Sequence, residues 1–202
     1  MLINSVTASR RRGQVLEDAL LDAAWDELVE RGYGRFTIDG VAARAGTSRP
    51  VIYRRWPTRS DLAIAAIRHE GRKQPVEAPD TGSVRDDLIA VLRDASAARS
   101  EVATLISVQM GEYFTETGRT PADIRAEFLS GRHQPFSIDK VLRRGIERGE
   151  IDADRLTPRI ATVALDLLRH ELLMTLQPVP VETITEIVDE IFLPLVRQRQ
   201  MT

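Results

Sequence analysis

The chain has 202 residues, a formal net charge of −2, a 43% hydrophobic fraction and no cysteine. That length suits one domain or two small ones, and the missing cysteines exclude a disulfide framework, a thiolate nucleophile and a cysteine-based zinc site. No apolar run approaches the roughly 18 residues of a membrane span, and the first residues lack the roughly 7–15-residue apolar stretch of a signal peptide, so a cytoplasmic location is expected.

Residues 1–12 read as a disordered arm ending in Arg10, Arg11 and Arg12. Such an arm is either a solvated tail or a contact to DNA phosphate or minor groove. A first helix is predicted over about 14–31, where Leu16, Leu20, Ala23, Ala24 and Leu28 repeat at helical spacing. Gly32 can end it, and the lone Trp25 on its length reads as packing. The basic residues are almost all arginine, with Lys73 and Lys140 the only lysines, which reads as codon bias and not as function.

The run from Phe36 to Leu62 carries the most information. Thr37 caps a short helix over about 38–45, in which Val41 and Ala42 face inward. Gly46 supplies a turn that asks for positive φ. Thr47 or Ser48 caps a second short helix to about Arg55, with Pro50 in the first turn, where its missing N–H costs little. Ile52 points at the core and Trp56 closes against it, leaving Arg49, Val51, Tyr53, Arg54 and Arg55 on more exposed faces. Pro57 stops the helix, and Thr58-Arg59-Ser60-Asp61 has the form of a capping box with Asp in place of Glu. Two short helices about a glycine turn are the pattern of a helix-turn-helix, whose second helix enters a major groove. From Arg44 to Arg59 there are five arginines and no acidic residue, a local positive block that a phosphate backbone attracts.

A helix over about 58–72 follows, with Leu62, Ile64, Ala65 and Ile67 along it. The loop over 73–82 then holds two prolines and one glycine and marks a domain boundary. Helices are predicted next over about 84–99 and 102–117. Another starts after Thr120-Pro121, is disturbed near Gly131 to Pro135 and ends at Gly149. The last two run from Thr157-Pro158 to about Leu176 and from Pro180 to about Arg199, with Pro194 kinking the second. No strand pattern and no repeat appears, so the expected class is all-α with about nine helices. The last two helices are apolar over more than one stripe: Ile160, Val163, Leu167, Leu168 and Leu172 on one, Ile184, Ile187, Val188, Ile191 and Leu195 on the other. Helices of that kind are buried on more than one side, and a second copy of the chain is the natural cover.

These residues resemble the tetracycline-repressor (TetR) family of bacterial regulators. Ala42, Gly46, Ile52, Tyr53 and Leu62 fall at the family's signature positions, Trp56 stands where many members have phenylalanine, and Arg59 where many have lysine. The resemblance covers roughly the first third of the chain; the rest agrees in length and helical character. It implies a DNA-binding domain over 1–57, a ligand-binding and dimerisation domain over 58–202, and the helix over 58–72 as connector. It implies that Thr37, Tyr53 and Arg59 touch phosphate and that Arg49, Val51 and Arg54 face base edges, with Ser48, Pro50 and Arg55 completing the candidate DNA-binding set. Asp39 departs from the family pattern: it sits where a neutral or positive contact is common and would repel phosphate, unless it accepts from a cytosine amino group or caps the helix. The implied partners are a double-stranded operator, a second copy meeting through Leu168, Leu172, Ile184, Ile187, Ile191 and Leu195, and a small apolar or aromatic effector. Candidate lining residues for that effector are Met110, Tyr113, Phe114, Phe128, His133, Phe136, His170 and Met174, about half of which should be ordinary core.

No cofactor, metal or catalytic residue is expected. His69, His133 and His170 are scattered, no HExxH, P-loop or GxSxG occurs, and Gly32-Tyr33-Gly34 is a fragment of a dinucleotide motif that follows a helix instead of a strand. The alternatives to a regulator are a helical protein–protein adaptor or a ligand-binding protein without specific DNA recognition. Both leave the arginine block unexplained.

Overall fold

A computed structural model of the chain describes residues 3–74, 76–124 and 138–197, with the backbone alone at 3–12 and 99. In chain order the helices are α1 (Ile3–Arg31), α2 (Ile38–Arg44), α3 (Arg49–Tyr53), α4 (Arg59–Lys73), α5 (Val84–Thr104), α6 (Gly111–Thr117), α7 (Ile138–Glu147), α8 (Pro158–Thr175), α9 (Val181–Glu186) and α10 (Leu193–Val196). No β-strand occurs among the described residues. Packing divides the chain into two compact units, residues 1–73 with 105–126 and residues 74–104 with 127–202. The first unit is thus wider than the segment 1–57: α4 and α6 pack into it.

In the first unit, α1 is already helical at Ile3. The segment expected to be disordered continues the helix, because arginine is a good helix former and a single glycine, Gly13, costs only about 1 kcal/mol relative to alanine. Leu20, Ala24 and Leu28 of α1 are fully buried and pack along α4, which brings Leu62, Ala63, Ala66 and Ile67, also fully buried. Each large aliphatic side chain so buried stabilises the fold by roughly 1.5–3 kcal/mol, so this helix pair is the spine of the unit. A 3-10 turn (Tyr33–Arg35) carries Tyr33 and Phe36 into the interior, where Tyr113 of α6 meets the Tyr33 ring edge-on at 5.3 Å.

The second unit is built on α5, whose Leu88, Val91, Leu92 and Ala95 pack with Val141 and Leu142 of α7, Ala164, Leu168 and Leu172 of α8, and Ile184 of α9. Among the described residues its two buried polar side chains, Asp87 and Ser96, are both used. The Asp87 carboxylate accepts from the Thr81 N–H at 2.7 Å and the Thr81 hydroxyl at 2.8 Å, and the Ser96 hydroxyl accepts from the Val179 N–H at 2.7 Å. Thr157 caps α8 by accepting from the Ile160 N–H, with Pro158 next in the first turn.

One further helix boundary differs from expectation, and the irregularity expected of Pro194 takes a particular form. No break occurs between 99 and 102. Nothing in Arg99-Ser100-Glu101-Val102 disfavours helix, and α5 runs on to Thr104, then through a π-helical stretch (Leu105–Gln109) before α6. Near the C-terminus, α9 passes into a second π-helical stretch (Ile187–Phe192) and then α10. Pro194 is the physical reason: it has no N–H to donate back, so the ladder before it is irregular. No helix among the described residues is long and apolar enough to cross a membrane.

Candidate nucleic-acid interface

The site is set by backbone chemistry legible residue by residue. Thr37, in extended conformation, accepts from the Gly40 N–H at 3.0 Å and starts α2, a cap that contributes about 1 kcal/mol. Gly46, at φ +61°, turns the chain, and the Thr47 N–H donates back to the Ala42 carbonyl. Ser48 holds the cap position of α3 without using its side chain, and Pro50 lies in the first turn. Ile52, fully buried, and Trp56, nearly so, fix the rotation of this short helix. Thr37, Ser48, Arg49, Pro50, Tyr53 and Arg54 are consequently exposed, while Val51 and Arg55 are half-buried. Thr58 and Asp61 form both reciprocal bonds of a capping box: the Thr58 N–H donates to the Asp61 carboxylate and the Asp61 N–H to the Thr58 hydroxyl, each at 3.1 Å.

The electrostatics correct the sequence view. The run 44–59 holds no acid along the chain, but carboxylates from elsewhere in the unit surround it. Arg44 pairs with Glu30 at 2.5 Å and Glu27 at 3.4 Å. Arg49 is held side-on by both oxygens of Asp39. Arg55 lies 4.0 Å from Glu17. Arg59 pairs with Glu116 at 2.5 Å and stacks over the Tyr33 ring, 4.6 Å from its centroid. Among the described residues, Arg54 alone of the five has no carboxylate partner. The carboxylates raise the guanidinium pKa at Arg49 through Asp39 and at Arg59 through Glu116. The Glu116 carboxyl is lowered mainly by its bond from Arg59. Burial, then the hydrogen bond its hydroxyl donates to Glu116 at 3.0 Å, pushes the Tyr33 phenol up. Glu116 takes the Arg59 Nε–H and one Nη2–H, a side-on pair that leaves the end-on edge of this guanidinium for a further contact.

Among the described residues Glu27 is the one buried carboxylate of the first unit. It lies between Arg31 at 3.2 Å and Arg44, and it approaches α2 so closely that a Cβ on Gly40 would stand 2.7 Å from its carboxyl carbon. Glu17, Glu27, Glu30 and Glu116 pair with these arginines, and sequence reasoning missed all four. Their spacing along the chain carries no signal that they face the arginines.

The other expected residues are dispersed. Met110 and Tyr113 are buried and Phe114 is half-buried in the first unit, where the Tyr113 hydroxyl accepts from Arg119 at 3.1 Å. His170 and Met174 are exposed on α8, so they line no interior there. Phe128, His133 and Phe136 lie outside the described residues. A cleft of about 530 Å³ in the second unit, lined by Ile146, Gly149, Glu150, Ile151, Asp152, Ala153 and Arg197, holds none of the candidates. Of the six residues expected on the dimer face, Leu168, Leu172, Ile184 and Ile187 are buried in the second unit's own core. An apolar stripe serves the chain's interior first, and these four are part of it. Ile191 and Leu195 remain exposed, at 38% and 37%, together with Met174, Leu176 and Val181.

Comparison with known proteins agrees with this architecture. Residues 20–66 match the family model described as bacterial regulatory proteins, tetR family, and residues 78–191 the one described as tetracyclin repressor-like, C-terminal domain. The chain is 34% identical over 191 residues to a protein of Mycobacteroides abscessus named DNA-binding transcriptional repressor TetR, covering 92% of this chain and 96% of that one. It is 29% identical over 185 residues to an uncharacterised HTH-type transcriptional regulator of Mycobacterium tuberculosis, covering 88% and 86%. Among solved structures, the fatty acid degradation regulator FadR from Bacillus halodurans shares the fold, with a TM-score of 0.63 at 19% identity, covering 90% of this chain and all of that one.

Proposed function

The chain belongs to the TetR family of DNA-binding transcriptional regulators, and on that premise we propose that it is a homodimeric cytoplasmic repressor whose two α3 helices read the half-sites of an operator and which a small-molecule effector releases. The observation that carries the reading is the anchoring of α3: buried Ile52 and Trp56 leave Arg49, Tyr53 and Arg54 exposed together. Arg49 and Arg54 each can donate two hydrogen bonds to guanine O6 and N7; Thr37, Ser48 and Tyr53 suit phosphate. Val51 and Pro50 offer the apolar contact that a thymine methyl takes.

The dimer forms through the apolar residues left exposed on the last helical segments, Met174, Leu176, Val181, Ile191 and Leu195, since apolar side chains that the chain itself does not cover are candidates for an association surface. A two-fold pair then sets its recognition helices roughly 34–36 Å apart, one turn of duplex. The effector is small and apolar or aromatic. Support comes from the described interior of the second unit, which is aliphatic apart from Phe192, with its buried Asp87 and Ser96 already bonded. Effector and operator oppose each other because each binds a different arrangement of the dimer, with a coupling of about 1–3 kcal/mol.

The test is selection from a random-sequence duplex pool with sequencing of the bound fraction, followed by mobility shift across a salt series. Enrichment of a two-fold-symmetric site is the expected result. A pool that stays random would end the operator reading and leave the protein–protein adaptor.

A further inference from the structure

The odd residue of the interface is Asp39, an exposed carboxylate on a surface proposed to meet phosphate. It does not cap α2, since Thr37 does that. Its two oxygens instead take the Arg49 Nε–H and one Nη2–H, a side-on pair joining the first turn of α2 to the first residue of α3. Both side chains are 59% exposed, so the pair lies on the surface and braces no core. A guanidinium has five N–H donors. The side-on pair uses two and leaves the end-on edge complete, with one Nη1–H and the outer Nη2–H parallel. That edge is the one that forms a fork on guanine O6 and N7.

Resting on the reading of α3 as the recognition helix, we infer that Asp39 is a specificity-determining residue that acts through Arg49. It presents the end-on edge of Arg49 to a guanine in one fixed orientation and cancels the charge with which Arg49 would otherwise bind any phosphate. A free arginine at this place would wander between base and backbone and strengthen binding to every sequence alike; a paired one is ordered before the duplex arrives and gains most where a guanine meets it. The carboxylate thus exchanges general affinity for discrimination, which gives an acid at the DNA surface a purpose.

Five proteins decide the matter: wild type, Asp39→Asn, Asp39→Glu, Arg49→Ala and the Asp39→Asn/Arg49→Ala double variant. Each is carried through selection on a random duplex pool, then titrated with the duplex selected by the wild type and a scrambled duplex over a salt series. Asp39→Asn should bind the scrambled duplex more tightly, steepen the log Kd against log salt slope by about one unit per subunit, and lower the selected-to-scrambled ratio by about tenfold. Asp39→Glu, able to reach the same guanidinium, should keep most of the ratio. In the Arg49→Ala background, Asp39→Asn should leave the ratio unchanged. An unaltered ratio and slope in Asp39→Asn overturns the inference, as does an equal loss of ratio with and without Arg49, which would mean that Asp39 meets a cytosine amino group itself. If the wild type selects no sequence, the recognition-helix reading fails first and this inference with it.

Discussion

Leu168 and Ile191 look alike along the chain, both on apolar C-terminal helices, but their aspartate variants should fail in different ways. Leu168 is 3% exposed in a cluster made of apolar side chains. Leu168→Asp forfeits roughly 1.5–3 kcal/mol of apolar burial and leaves a carboxylate without a cation, for several kcal/mol more. That sum is comparable with the roughly 5–15 kcal/mol by which a whole domain is stable, so the second unit should unfold. Ile191 is 38% exposed. Ile191→Asp keeps its charge in water within one subunit, and a surface change of that kind moves stability by about 0.5 kcal/mol or less. In the proposed dimer the same charge is desolvated twice by symmetry. A penalty of about 3 kcal/mol weakens association by at least a hundredfold. Circular-dichroism melting together with sedimentation velocity over a concentration series separates the two: Leu168→Asp should lose the cooperative transition, and Ile191→Asp should melt near wild type while sedimenting as a monomer. A folded Leu168→Asp would refute the burial argument, and an Ile191→Asp dimer of unchanged affinity would refute the interface.

Three further expectations rest on the first unit. Arg54, without a carboxylate partner among the described residues, should on replacement by alanine relax the selected sequence by about 1–3 kcal/mol of discrimination; equal losses on selected and scrambled duplex would place it on phosphate instead. Gly40→Ala puts a methyl into the Glu27 carboxylate, an overpacking that costs about 1–3 kcal/mol; a melting temperature equal to wild type would show that α1 and α2 are not packed so closely. The Glu116 carboxyl is lowered from its ordinary 4.5, chiefly by Arg59. A depressed carboxyl stabilises the fold above its unfolded value and loses that contribution as pH falls through the folded one. The melting difference between wild type and Glu116→Gln should therefore be constant above about pH 4.5 and shrink at lower pH; a difference that persists in acid would mean the Arg59 pair contributes nothing.

Sequence reasoning succeeded where the physics is local. The Thr37 and Thr157 caps, the Gly46 turn, and the Thr58–Asp61 box each concern groups within five residues of one another, and each forms. Ile52 and Trp56 were legible as anchors because a helix this short has only one inward face. The same reasoning stopped where tertiary structure decides. An acid-free run of sequence says nothing of Glu17, Glu27 and Glu30 one helix away, or of Glu116 far along the chain, yet these four and Asp39 partner four of the five arginines. Periodicity also failed to part Leu168 from Ile191: when a helix is apolar over more than one stripe, spacing alone cannot tell the stripe that meets the chain's own core from the one left outside.

The compensated arginines and the proposed dimer answer each other. Counterion release makes general affinity for DNA grow with the number of uncompensated cations at the surface. With most of its described arginines already paired, a single helix-turn-helix unit has little of that affinity and should hold random duplex weakly. Joining two such units makes the second half-site an intramolecular partner of the first, so weak half-sites add to a firm whole only where both are present at the right spacing. Charge pairing within the unit thus lowers binding to every wrong sequence, and dimerisation restores binding to the right one. A regulator built this way is also easy to release. An effector need only disturb the spacing of two modest half-sites, and a coupling of about 1–3 kcal/mol, small beside the total binding free energy of a strongly basic protein, is then enough to decide occupancy.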